Sequence, residues 1–317
     1  MNIVFLDAKS IADEMHWPDF GFEHQYQTYP NTSPSEVAQR LQGVDILISN
    51  KVPVSAAELQ HADRLRHIAI PATGFNHIDL AACAERGITV SHIKDYAEVT
   101  VSEHCLALLF ALKRSLLPYH ESVRAGRWQE VGQFSYFDFP IMQVQGSTLG
   151  IIGAGRLGRA FARRAELLGM KVLFAERKGR SDTRAGYLPF DQVLALSDVL
   201  SLHCPLMPAT EHLLDAETFA KMQRQPLIIN TSRGALIDAQ ALVEALHTGQ
   251  ISAAGIDVVD EEPPAADHPY MSLLDLPNFI LTPHVAWANR TAMQHLVNEL
   301  VENIQAFVAG RPRNLIT

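Results

Sequence analysis

Residues 147–158 read STLGIIGAGRLG, and residues 159–169 continue RAFARRAELLG. An apolar strand-like run enters a turn with glycine at 153, 155 and 158, and an amphipathic helix-like stretch leaves it. Gly153 permits the tight turn, Gly155 lets the backbone approach a pyrophosphate, and Gly158 lets the helix pack on the strand. The start of that helix offers unpaired N–H groups and a positive dipole end to an anion. Glycine-rich turns are common, so the weight lies in the setting: strand before, helix after, and an acid past the next strand. That acid is Glu176, in KVLFAERKG (171–179), 18 residues beyond Gly158. A ribose-binding carboxylate is expected about 20 residues on. A carboxylate there repels a 2′-phosphate, so NAD(H) is expected over NADP(H), although Arg177 and Lys178 are groups that could hold such a phosphate.

Working outward, short apolar runs alternate with helix-like stretches along the whole chain. On the N-terminal side the runs are 2–7, 45–50, 66–72 and 88–93, with helix-like segments near 35–41, 55–61 and 78–86. A long apolar-periodic stretch from about 99 to 117 is expected to stop before Pro118. After an aromatic-rich loop at 128–139 the runs resume at 147–153, 171–175, 198–204, 227–231, 251–259 and 279–282. A last helix, about 289–308, is expected to end at Gly310. Runs of this length and spacing read as βαβ units around parallel sheets. The expected division is 1–99 with 286–317 as one domain and 100–285 as the dinucleotide-binding domain.

With 317 residues, two domains are expected. Hydrophobic residues at 47% and charged residues at 19% exclude a disordered chain. The net charge of −9 makes nucleic acid and anionic membranes poor partners. The longest apolar run, 105–112, falls well short of the roughly 20 residues of a membrane span. The N-terminal MNIVFLDAKS has no basic n-region, so no secretory signal is read there. Three cysteines without CxxC spacing suggest reduced thiols and a cytoplasmic setting. No metal-ligand spacing is found.

Three further stretches each place one strong chemical group just past an apolar run. LIINTSRG (227–234) carries Arg233, IDVVDEEPP (256–264) carries Glu262, and LTPHVAWAN (281–289) carries His284. An arginine holds a carboxylate by a bidentate fork. A histidine exchanges a proton near neutral pH, and a carboxylate beside it orients the ring and favours its charged form. Singly, each residue has an ordinary structural reading. Together, after a dinucleotide turn, they suggest proton and hydride chemistry on a small acid.

In this combination the chain resembles the NAD-dependent D-2-hydroxyacid dehydrogenases, in particular their glycerate dehydrogenase/hydroxypyruvate reductase branch. GAGRLG (153–158), HCPLMPAT (203–210), INTSRG (229–234), the D-V-x-x-x-E-P pattern (257–263) and TPHVAWAN (282–289) carry the resemblance. NKVPVS (50–55), ATGFNHIDL (72–80) and VTVSEHCLALLFAL (99–112) extend it over nearly the whole chain. The resemblance implies a flavodoxin-like substrate domain plus a Rossmann domain, both doubly wound parallel α/β sheets, with the active site in the cleft between them. It implies Arg233, Glu262 and His284 as catalytic, and Thr73, Gly74, Arg233 and Trp287 as substrate-binding. It assigns Gly153, Gly155, Arg156, Leu157, Gly158, Glu176, Cys204, Pro205, Thr231, Ser232, Asp257 and Thr100 to the cofactor, with Cys204 packed rather than nucleophilic. The implied activity is NADH-dependent reduction of hydroxypyruvate or glyoxylate to the D-2-hydroxy acid, and the reverse, by a homodimer. An NAD(H)-sensing corepressor-type binding protein of the same family is the alternative.

Overall fold

The computed structural model describes residues 1–180 and 182–316. The chain divides into two units, Met1–Tyr96 with Ala288–Thr317 and Ala97–Trp287. These cuts differ by two or three residues from the expected ones. The long helix of the second unit already starts at Glu98, and the C-terminal helix is capped only at Asn289, whose side chain accepts from the Ala292 N–H.

The first unit holds strands β1 (Asn2–Phe5), β2 (Gln25–Thr28), β3 (Ile46–Ile48), β4 (His67–Ile70) and β5 (Thr89–His92), and helices α1 (Pro34–Arg40), α2 (Ala56–Leu59) and α3 (Leu80–Glu85). The strands pair in parallel in the order β2-β1-β3-β4-β5. The residues of β3 and β4 are all buried, as expected of parallel strands covered on both faces. Strand β2 went unseen in the hydrophobic pattern because QYQT is an exposed edge strand with one neighbour. The C-terminal helix, Arg290–Val308, returns to this unit. Its Phe307 ring stacks on His67 at 4.4 Å, and its Asn303 side chain donates to the His92 carbonyl at 3.3 Å.

The second unit contains α4 (Glu98–Lys113), α5 (Leu116–Arg124), α6 (Arg127–Val131), β6 (Thr148–Ile152), α7 (Arg156–Leu167), β7 (Lys171–Ala175), α8 (Phe190–Leu196), β8 (Val199–Leu202), α9 (Ala216–Ala220), β9 (Leu227–Asn230), α10 (Ala239–His247), β10 (Ala253–Ile256) and β11 (Phe279–Leu281). Its sheet is also parallel, in the order β11-β10-β9-β8-β6-β7. One apolar layer joins α4 and α7 to the strands through Cys105, Leu109, Phe161 and Ile151. The other joins α8, α9 and α10 through Val193, Leu194, Phe219 and Leu242. Pro118 does not stop the long helix as expected. The break comes earlier, at Ser115, which adopts φ +49°, and Pro118 lies in the first turn of α5. A first-turn residue has no intrahelical acceptor for its N–H, so proline is tolerated there.

In a parallel sheet every carboxyl end lies on one edge. Gly153, Glu176, Cys204, Arg233, Asp257 and His284 each follow one of the six strands of the second unit. The strand order reverses at β6, between β7 and β8, which is where open α/β sheets bind ligands.

Candidate active site

The turn after β6 is built as its glycines require. Gly153 has φ +98°, and a Cβ on it would lie 2.4 Å from the Cys204 backbone nitrogen. A Cβ on Gly158 would lie 2.3 Å from the Gly153 carbonyl oxygen, so the start of α7 rests on the turn. Gly155 is the N-cap of α7, with no side chain capping the first amides and nothing within 4 Å of the Cβ it lacks. An uncapped helix start facing open space fits a diphosphate. Arg156 opens α7 and reaches Glu98 at 3.5 Å, while Leu157 packs on the α4 side of the core. Across the turn, Cys204 is half-buried, and burial pushes its thiol up to about 11, which leaves it a packed thiol rather than a nucleophile. The Pro205 carbonyl accepts from the Thr210 hydroxyl at 2.7 Å.

Glu176 stands at the end of β7, as the spacing predicts, but in company the sequence did not announce. Its side chain is buried, and Arg184 grips it with two bonds of 2.8 Å, Nε to Oε2 and Nη2 to Oε1. The backbone N–H groups of Arg177 and Arg184 add bonds of 2.9 and 3.1 Å. The Arg184 guanidinium first, and these amides after it, hold the Glu176 carboxyl down at about 2. Lys178 turns away to Asp215 at 3.1 Å and Thr218 at 3.0 Å. Arg177 is exposed. An arginine eight residues past the acid was the only cue in the sequence to this clamp.

Beyond β9 the chain passes through Thr231, Ser232 and Arg233. Thr231 is buried with its hydroxyl 3.4 Å from the Cys105 sulfur, and Ser232 donates to the Leu202 carbonyl at 2.7 Å, tying β9 to β8. Arg233 is half-buried. Its guanidinium donates to the Ser232 carbonyl at 2.7 Å and pairs with no carboxylate among the described residues. An arginine in that state is available to an anion. The next residue, Gly234, has no space for a side chain: a Cβ would lie 1.9 Å from the Val259 carbonyl carbon and 2.2 Å from the Asp260 nitrogen. This backbone-on-backbone contact places the Arg233 turn against the loop that carries Glu262.

Glu262 and His284 meet directly, with Oε2 2.6 Å from Nδ1. His284 adopts φ +53°, and its N–H donates to the Asp257 carbonyl at 2.8 Å. The Asp257 carboxylate is buried beneath the same loop and accepts from the N–H groups of Val285 and Ala286 at 2.9 and 2.8 Å and from the Thr282 hydroxyl at 2.5 Å. Thr100, in the first turn of α4, donates to the Ala286 carbonyl at 3.1 Å. Thus Asp257 and Thr100, both assigned to the cofactor by resemblance, here brace the segment that carries the histidine. His104, which the sequence did not single out, lies one turn further along α4 with Nε2 3.1 Å from the Thr282 hydroxyl. With Nδ1 committed to the carboxylate, Nε2 is the ring atom left to exchange a proton. A cavity of about 510 Å³ opens beside the pair, lined also by Pro263, Met271, Leu274 and Thr282.

In the first unit, Thr73 and Gly74 follow β4. The Thr73 hydroxyl donates to the Ile93 carbonyl at 3.0 Å, and the backbone N–H groups of both residues meet no acceptor among the described residues. Trp287 is half-buried and ends the second unit. Among the described residues no cluster of three His, Cys, Asp or Glu could hold a metal ion, and no helix is long and apolar enough to cross a membrane.

Residues 106–286 match the family described as D-isomer specific 2-hydroxyacid dehydrogenase, NAD binding domain. A glycerate dehydrogenase from Methylorubrum extorquens is 47% identical over 316 residues, covering 99% of this chain and 98% of that protein. A hydroxypyruvate reductase from Blautia hydrogenotrophica is 34% identical over 323 residues, covering 100% and 99%. Among solved structures, a D-lactate dehydrogenase from Aquifex aeolicus complexed with NAD and lactic acid superimposes with a TM-score of 0.82 at 28% identity, covering 98% of this chain and 96% of that one.

Proposed function

This chain belongs to the D-isomer-specific 2-hydroxyacid dehydrogenases, and on that premise we propose that it reduces hydroxypyruvate or glyoxylate to the D-2-hydroxy acid with NADH, and catalyses the reverse. Membership makes it an oxidoreductase with an NAD-binding domain. The substrate and the direction are our reading. The observation that carries it is the 2.6 Å contact between Glu262 and His284, at the end of β11 in a sheet whose first turn receives a dinucleotide.

Bound NADH supplies the hydride. Gly155 and the uncapped first turn of α7 hold its diphosphate, with Arg156 and Leu157 flanking. Arg233 takes the substrate carboxylate through its fork of donors. Trp287 contacts the substrate. Protonated His284 gives its Nε2 proton to the carbonyl oxygen, so the negative charge developing there is neutralised as it forms. In the reverse direction neutral Nε2 takes the hydroxyl proton. Glu262 holds the ring in the one tautomer that suits both directions.

The same proposal includes a homodimer and a cytoplasmic setting. Phe134 and Phe137 are 91% and 78% exposed, in a segment where Leu117, Trp128 and Met142 are exposed too. So large an apolar surface suits a second copy of the chain. All three cysteines are free. The test is NADH oxidation, followed by absorbance, with a panel of 2-oxo acids and the purified protein. Turnover of hydroxypyruvate or glyoxylate that vanishes in His284→Ala supports the reading. Cofactor binding without turnover of any 2-oxo acid would favour a sensing role instead.

A further inference from the structure

We infer that His104, on helix α4, is a positioning residue for the proton transfer at His284: its ring fixes the direction of the Thr282 hydroxyl, and through it the buried Asp257 carboxylate that holds the histidine's segment in place. This rests on the dehydrogenase reading above and adds a residue to it.

Thr282 has one hydroxyl proton to give. Its Oγ1 lies 2.5 Å from Asp257 Oδ1, 3.5 Å from the Ile256 carbonyl and 3.1 Å from His104 Nε2. Both Asp257 oxygens accept from backbone N–H groups, Oδ1 from Val285 and Oδ2 from Ala286, so the carboxylate is an acceptor here and the hydroxyl donates to it. With its proton spent, Oγ1 accepts from His104, and Nε2 carries the hydrogen. The Nδ1 atom of that ring meets no partner among the described residues, so no protein group favours the other tautomer. The same Nε2–H lies 3.6 Å from Asp257 Oδ1, on the side of the negative charge.

Without the ring, nothing holds the Oγ1 lone pairs, and the hydroxyl is free to turn to the Ile256 carbonyl instead. The Asp257 side chain is fully buried, so bulk water does not replace a donor lost there. That carboxylate fastens Val285 and Ala286, the two residues after His284, while His284 itself adopts φ +53°. Such a backbone is uncommon for a residue with a side chain and persists where its surroundings over-determine it. Helix α4 reaches the segment on both sides of the histidine, through His104 at Thr282 and through Thr100 at Ala286. Thr100 and His104 are four residues apart and share one helix face. Slack on the Thr282 side passes to the ring whose Nδ1 meets Glu262 Oε2 at 2.6 Å.

The experiment measures steady-state reduction of hydroxypyruvate and glyoxylate with NADH, together with NADH titration and a thermal melt, on the wild type and its variants. His104→Leu should lower kcat by about tenfold or more, the scale of one bond to a charged group, and leave the NADH dissociation constant within about threefold. His104→Gln carries an amide N–H to roughly the place of Nε2 and should restore kcat to within about threefold of wild type. His104→Asn has the same amide one carbon short and should behave as His104→Leu does. A role in packing or polarity alone would not separate glutamine from asparagine. In a Thr282→Val background, where the hydroxyl is gone, His104→Leu should cost less than about twofold. If His104→Leu fails to fold, the comparison of glutamine with asparagine decides. Wild-type kcat in His104→Leu, or equal kcat in the glutamine and asparagine variants, overturns the inference and leaves the dehydrogenase reading standing. A wild type that binds NADH but reduces neither acid overturns that reading, and the role of His104 with it.

Discussion

Replacing Gly234 by alanine tests whether the Arg233 turn and the Glu262 loop must touch for the chemistry to work. The added Cβ would sit 1.9 Å from the Val259 carbonyl carbon and 2.2 Å from the Asp260 nitrogen. Carbon atoms rest at about 3.5–4.0 Å, so the two backbones must part by roughly 1.5–2 Å. Both offending atoms are main chain, and no side-chain rotation relieves them. Glu262 lies three residues past Val259. Its bond to His284 is 2.6 Å long, and a displacement of that size takes it beyond hydrogen-bond reach. Misplacement by about 1 Å can cost about 10²-fold in rate, so kcat for 2-oxo acid reduction should fall by about 10²-fold or more. Overpacking should also lower stability by about 1–3 kcal/mol. NADH affinity should hold within about threefold, because the glycine turn after β6 is untouched. The assay pairs steady-state kinetics with nucleotide titration and a thermal melt. A Gly234→Ala enzyme that melts normally and keeps kcat within threefold of wild type would refute the claim that this contact sets the catalytic geometry.

Arg233→Lys should lower kcat/KM roughly 10- to 150-fold, equivalent to about 1.5–3 kcal/mol, because lysine cannot reproduce the fork; a loss confined to NADH binding would assign Arg233 elsewhere. Glu262→Gln should cut kcat in both directions, toward the roughly 10²-fold lower bound for general acid–base catalysis, since an amide can present either oxygen or nitrogen to Nδ1 and no longer fixes the tautomer; unchanged rates would mean that Glu262 does not orient His284. Burial lowers His67, His77 and His203 to about 4 each. Each binds a proton more readily unfolded than folded, so the stability held above about pH 6.5 should drain away as pH falls from there to about 4. Melting temperatures across that range check this, and a flat profile in the wild type would contradict it.

Which features could be read from sequence follows from what each depends on. Ile46–Ile48 and His67–Ile70 showed as apolar runs because parallel strands covered on both faces need them, whereas Gln25–Thr28 is polar and exposed at an edge and left no pattern. The break at Ser115 was hidden because the apolar periodicity runs across it from α4 into α5. Arg233, Glu262 and His284 were legible since each follows a strand, and parallel pairing puts all strand ends on one edge. What brings the Arg233 turn onto the Glu262 loop is a steric fact about Gly234, invisible without coordinates. The Arg184 clamp on Glu176 depends likewise on the path of the loop after β7, which neither spacing nor composition fixes.

The return of the C-terminal helix to the first unit bears on how the protein emerges from the ribosome. The second unit, Ala97–Trp287, is one continuous segment and can fold as soon as it is made. The first unit cannot. Strand β5 ends at His92, but the helix that brings Phe307 onto His67 starts only at Arg290. At about 5–20 residues per second, the intervening stretch of about 200 residues takes roughly 10–40 s to synthesise. Helices α1, α2 and α3 already pack on the strands, but for all of that time the nascent sheet lacks the C-terminal helix that brings Phe307 onto His67 of β4. The half of the protein made first is therefore the half finished last, and it is where a translation pause or a C-terminal truncation should expose the chain to chaperones and aggregation.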